Sequence, residues 1–145
     1  MSPSLRQTVT PVTILALVTA AAWLIGLLLS PVMDVALLGG FIPARVLGHA
    51  TVVGALPVWL TPLSATLIHS GLAHLALNMV MLVWCGRQVE PAMGWKYFLL
   101  IYVVGAYAAA LGQWALDPSA TGPMVGASGA ISAIIAVYAL VFSEQ

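Results

Sequence analysis

Four polar side chains stand in apolar stretches of the sequence, at spacings that could support hydrolytic chemistry: His69, His74, Asn78 and Ser128. His74 and Asn78 are four residues apart, which places them on one face of a helix. Ser128 lies in the small-residue segment 126–129, at the predicted start of a later helix. The first backbone N–H groups of a helix lack internal partners and lie at its positive end. Ser128 is therefore a candidate nucleophile, and the imidazole and carboxamide are candidate donors to an oxyanion.

Each of these features also has a simpler structural interpretation. Gly and Ser are common where membrane helices pack closely, and Gly129, Ala133 and Ala136 form a small-residue face. The polar side chains of the earlier segment could hydrogen-bond to neighbouring helices. A metal site is disfavoured, because His69 and His74 are not four residues apart and no carboxylate or thiol lies near them in sequence.

Composition places the chain in a lipid bilayer. Of its 145 residues, 62% are hydrophobic and 6% are charged, against about 45–50% and about 25% in soluble proteins. With Lys+Arg 4 and Asp+Glu 4, the chain has no basic surface for nucleic acid. A single cysteine, Cys85, excludes a disulfide framework. These counts predict an integral membrane protein.

Four apolar stretches are long enough, or nearly so, to cross the hydrocarbon core as helices. They predict an all-α fold, a polytopic helical bundle with transmembrane helices at about 12–29, 63–85, 97–116 and 125–142. Residues 30–62 form a long, apolar first loop that is predicted to lie in the membrane interface, with short helices. Residues 86–96 are predicted to form a short polar connector, and residues 117–124 a turn-forming stretch.

The basic residues predict the orientation in the membrane. Arg6, Arg87 and Lys96 fall at one end of the predicted bundle and Arg45 at the other. Positive charge favours the cytoplasmic side, so the N-terminus is expected in the cytoplasm. The second and fourth spans then both begin outside, which places the two histidines at a depth similar to that of Ser128.

Three motifs together resemble the rhomboid family of intramembrane serine proteases, in its bacterial form. The order and spacing agree from about Phe41 to Phe142, in the motifs His69-x4-His74-x3-Asn78-Met79, Gly86-x3-Glu90-x3-Gly94 and Gly126-Ala127-Ser128-Gly129-Ala130.

The resemblance implies roles for individual residues. Ser128 matches the nucleophile, and His74 and Asn78 match the side chains of the oxyanion hole. His69 matches a histidine that organises the site by hydrogen bonding, while Gly126 and Gly129 belong to the nucleophile motif. The family acts without metal or cofactor on transmembrane segments of other membrane proteins. For this chain it implies the bacterial inner (plasma) membrane.

One departure from the family pattern concerns the general base. The rhomboid core has six helices, and its base is a histidine in an Ala-His-x-Gly-Gly-like motif on the sixth. All three histidines here precede Ser128. The 145 residues are therefore expected to be the N-terminal part of a protease, inactive on their own, with the small-residue face of the fourth span left to dock the sixth helix.

Other functions remain open from the sequence. His74 acting as the base is a less favoured alternative. A non-catalytic rhomboid-like protein that binds client helices is a second hypothesis. A transporter or channel is weaker, because no intramembrane charge marks a pathway.

Overall fold

The protein is described by a computed structural model over residues 10–143. Within this range every regular element is helical apart from one isolated bridge, which confirms the predicted all-α class. The α-helices are α1 (Pro11–Leu29), α2 (Val35–Gly39), α3 (Thr61–Ser64), α4 (Leu72–Met93), α5 (Trp95–Leu116) and α6 (Ser128–Phe142). Arg6, which entered the predicted orientation, lies outside the described residues.

Three of these helices, α1, α4 and α5, are long and apolar enough to cross a membrane. The fourth predicted span forms α6, which has 15 residues and is shorter than predicted. Such a helix spans about 22 Å, less than the ~30 Å thickness of the hydrocarbon core.

Helix α1 begins at a proline and packs against α4. Thr10 caps the helix by accepting the N–H of Thr13, and Pro11 takes a first-turn position that needs no N–H. Glu90, near the end of α4, accepts the N–H of Val12 at 3.1 Å. The two helices are therefore antiparallel, and Glu90 satisfies a first-turn donor of α1 that has no partner within its own helix.

Helices α4 and α5 form a hairpin whose bounds differ from the predicted ones. The second span was predicted over 63–85 and a connector over 86–96, whereas α4 begins at Leu72 and extends to Met93. The chain reverses at Gly94 alone, where φ is +86°. Residues 61–67 form separate short helical turns. Apolar composition does not distinguish such turns from the first turns of a long helix, which explains the shift.

Helix α6 packs closely on α5 through small residues. A Cβ added at Gly105 would lie 2.7 Å from the Cβ of Ala133 and 3.0 Å from the Cα of Ala130. Ala109 lies directly against Gly129. The face of α6 that was expected to be left for a sixth helix is partly covered, because α5 already contacts Gly129 and Ala133, whereas Ala136 is exposed.

The first loop is tied to the turn before α6. Phe41 and Met124 form an antiparallel bridge through two backbone hydrogen bonds of 3.0 and 2.7 Å. The N–H of Ala44 donates to the carbonyl of Ala120 at 3.0 Å. These bonds fix the segment that leads into Ser128.

Candidate active site

His74 lies in the first turn of α4, with its ring packed against the backbone of Gly126. A Cβ added at Gly126 would lie 2.6 Å from the Cε1 of His74 and 2.7 Å from its Nε2. Gly126 also has φ +113°, a conformation that side chains disfavour. A glycine is therefore favoured at this position for two physical reasons, the approach of the ring and the backbone conformation.

His69 lies just before α4 and contacts the next residue of the same segment. Its side chain is 7% exposed, and its Nε2 accepts the N–H of Ala127 at 3.4 Å. An accepting ring nitrogen carries no proton, so His69 is neutral in this arrangement. Burial lowers the pKa of His69 from its usual value, and nearby His74 lowers it further. The ring centroids of the two histidines are 5.0 Å apart, edge to face at 62°.

Ser128 opens α6 and is exposed. The first bond within this helix runs from the N–H of Ile131 to the carbonyl of Ala127. The N–H groups of residues 128–130 therefore have no helical acceptor and stand at the positive end of the helix. In residues 10–143, no side chain hydrogen-bonds to the hydroxyl of Ser128, which leaves it available to an incoming group.

A cavity of about 350 Å³ adjoins Ser128. Its wall includes Ala109, Gly112 and Gln113 of α5 and Gly129 of α6. Small side chains leave room for a bound peptide backbone next to the hydroxyl.

Asn78 is buried and makes its hydrogen bond within its own helix. It is 6% exposed, one turn after His74 on α4, and its Nδ2 donates to the carbonyl of His74 at 2.9 Å. The structure therefore brings His69 and His74 against residues 126 and 127, which immediately precede Ser128.

The structure shows two further contacts at the site that were not predicted from the sequence. The N–H of Gly126 donates to the carbonyl of Ala65 at 2.8 Å, a backbone contact that no side-chain pattern predicts. Ser70 Oγ lies 3.1 Å from His74 Nδ1. The spacing of four residues between Ser70 and His74 was a signal that could have found this second contact.

The described residues offer no cluster for a metal ion. Across residues 10–143, no group of three or more His, Cys, Asp or Glu side chains is placed to hold one. The chemistry that the site offers is that of a serine hydroxyl at a helix N-terminus, next to a backbone segment held by two imidazoles.

A bundle of apolar helices, three of which are long enough to cross a membrane, defines a polytopic integral membrane protein. The family model described as "Rhomboid domain" matches residues 57–145, more than half of the chain. The chain belongs to the rhomboid family.

Two relatives illustrate the likeness. The chain is 37% identical over 73 residues to "Rhomboid protease GluP" of Bacillus subtilis (strain 168), a match covering 50% of this chain and 14% of the relative. It is 34% identical over 71 residues to human "Rhomboid-related protein 3", covering 49% of this chain and 17% of the relative. The matches thus span less than a fifth of these relatives. No solved structure gives a significant match.

Proposed function

We propose that the chain carries the nucleophile and the oxyanion site of a rhomboid-type serine endopeptidase, which cleaves transmembrane segments of other membrane proteins. The carrying observation is the packing of two imidazoles against residues 126 and 127, immediately before an exposed serine at a helix N-terminus. One relative is named a protease.

In the proposed reaction, Ser128 Oγ attacks the scissile carbonyl and the developing oxyanion is stabilised by hydrogen-bond donors. The donors are the N–H of Ser128, the Nε2–H of His74 and the second amide hydrogen of Asn78. Asn78 uses one amide hydrogen within α4, and a carboxamide has two. Donors that are already in place when charge develops lower the barrier, by about 2.7–4 kcal/mol for a single oxyanion-hole donor.

The proton acceptor for Ser128 is proposed to come from outside these 145 residues. His69 Nε2 is occupied by the N–H of Ala127, and His74 is assigned as a donor. His49 is exposed in the first loop. A fluorophosphonate probe should therefore label the full-length protein and fail to label residues 1–145. Labelling of residues 1–145 that is lost in Ser128→Ala would instead assign the base to this chain, with His74 as the first candidate.

The membrane placement is also a proposal. Glu90 and the α4–α5 reversal lie at one end of the bundle with the start of α1, and Ser128 lies at the other. With Arg87 and Lys96 at the first end, we place that end and the N-terminus in the cytoplasm of a bacterial cell, and Ser128 towards the outer face of the inner membrane. Reporter fusions at the chain termini would test this orientation, and a reporter active only outside the cytoplasm at the N-terminus would contradict it.

The test of the function is cleavage in a bilayer. Full-length protein and its Ser128→Ala variant are placed in liposomes with a single-span reporter whose transmembrane segment contains small and helix-breaking residues. Cleavage by the first and none by the second would support the protease. If the uncleaved reporter instead co-purifies equally with the wild-type protein and with Ser128→Ala, the alternative of a non-catalytic protein that binds client helices is favoured.

A further inference from the structure

We propose that Ser70 is a positioning residue for His74. The Ser70 hydroxyl donates to Nδ1 of His74 and holds Nε2–H toward the segment that precedes Ser128. This assignment rests on the proposed role of His74 as an oxyanion donor. Neither the family motifs nor the general chemistry of a serine nucleophile requires a hydroxyl at position 70.

The geometry places the two ring nitrogens of His74 in different surroundings. Nδ1 lies 3.1 Å from Ser70 Oγ. Nε2 and Cε1 form the edge that meets Gly126, at 2.7 and 2.6 Å from the position of an added Cβ, whereas Nδ1 is 3.8 Å from it. Ser70 lies two residues before the first residue of α4 and four residues before His74.

The hydrogen bond would control both the proton and the ring orientation. A neutral imidazole carries one N–H, so a hydroxyl that donates to Nδ1 leaves the proton on Nε2. If the hydroxyl accepted from Nδ1–H instead, Nε2 would present a lone pair and could not stabilise an oxyanion. A rotation of the ring by half a turn would exchange Nδ1 with Cδ2 and break the bond to the serine, while Nε2 would take the position of Cε1, which also meets Gly126.

The direct test is spectroscopic. Protein labelled with ¹⁵N in its histidine rings is placed in lipid nanodiscs, and the signals of His74 are assigned by their loss in His74→Gln. We expect a protonated Nε2 and an unprotonated, hydrogen-bonded Nδ1 in the wild-type protein. Ser70→Ala should shift the Nδ1 resonance and add a second ring orientation, Ser70→Thr should restore the wild-type spectrum, and Ser30→Ala should leave it unchanged.

The kinetic test uses the rate at which a fluorophosphonate probe labels the full-length protein. Loss of one positioning hydrogen bond should slow labelling about five-fold, the equivalent of about 1 kcal/mol. Ser70→Thr should recover most of the rate, and Ser30→Ala, an exposed serine that bonds to the carbonyl of Leu27, should match the wild type.

The outcomes test the role of Ser70 and the proposed protease function separately. A protonated Nδ1 on His74 in the wild-type protein, or unchanged spectra in Ser70→Ala, overturns the role of Ser70. Absence of probe labelling in every variant overturns the proposed function, while the ring spectra still decide whether Ser70 sets the proton of His74.

Discussion

Replacing Gly126 with alanine should damage the site more than any other single methyl addition in this loop. The added Cβ would lie 2.6 Å from Cε1 of His74, closer than side-chain carbons pack, so the ring must move. The residue would also keep a φ of +113° that costs a side chain roughly 1–3 kcal/mol. Overpacking adds roughly another 1–3 kcal/mol. We expect a loss of at least about 2 kcal/mol of unfolding free energy.

The assay is reversible unfolding in mixed detergent micelles, followed by helical circular dichroism. Gly122→Ala is the matched control, because Gly122 belongs to the same connection and no atom lies within 4 Å of the position of its added Cβ. The control should stay within about 0.5 kcal/mol of the wild type.

A second readout separates site damage from global loss of stability. If the ring of His74 is displaced, labelling of Ser128 in the full-length protein should fall further than the folded fraction, under conditions where Gly126→Ala remains folded. Equal stability and equal labelling of Gly126→Ala and Gly122→Ala would refute the reasoning, since it would mean that the ring does not rest on Gly126.

Three further predictions concern packing and protonation. Glu90→Ala should lower the unfolding free energy by about 1.5–3 kcal/mol, because it removes a charge-assisted hydrogen bond to the N–H of Val12. Glu90→Gln should lower it by less. An unchanged melting temperature in Glu90→Ala would contradict this prediction. Gly105→Ala should destabilise the α5–α6 contact by about 1–3 kcal/mol. Gly112 lies on the same helix with no atom within 4 Å of its added Cβ, so Gly112→Ala should be neutral or stabilising. Equal effects of the two substitutions on stability would contradict the close packing of α5 on α6. Because the pKa of His69 is lowered on folding, the unfolded chain binds more protons, so stability should fall as pH drops below about 6.5. His69→Asn should flatten that pH profile, and an unaltered profile in this variant would be the contrary result.

The fold class was predictable because it follows from the composition and from the continuous apolar runs of the sequence. A chain of this length with so few charged residues cannot cover its surface with polar groups. In a bilayer, runs of about 20 apolar residues form the hydrogen bonds of their backbone N–H and C=O groups by folding into helices. The start of α4 was not predictable in this way. Residues 63–68 are apolar like the helix that follows them, and only the three-dimensional structure shows that the chain turns before Leu72.

The site was predictable in its residue types and less so in its contacts. The spacing of His74 and Asn78 places both side chains on one face of a helix, but the spacing does not predict which group each side chain contacts. The bond from Asn78 to the carbonyl of His74 and the one from Ala127 to His69 depend on how helices and loops meet. The same holds for the small residues of α6, whose partner could be assigned to α5 only from the structure.

The most direct measurement is to map the fluorophosphonate adduct on the full-length protein by peptide mass spectrometry. We expect an adduct on Ser128 and none on Ser132, which lies one turn further along α6 and whose hydroxyl donates to the carbonyl of Ser128. The adduct should disappear in Ser128→Ala and persist in Ser132→Ala. An adduct on any other residue, or one that survives in Ser128→Ala, would contradict the assignment of Ser128 as the nucleophile.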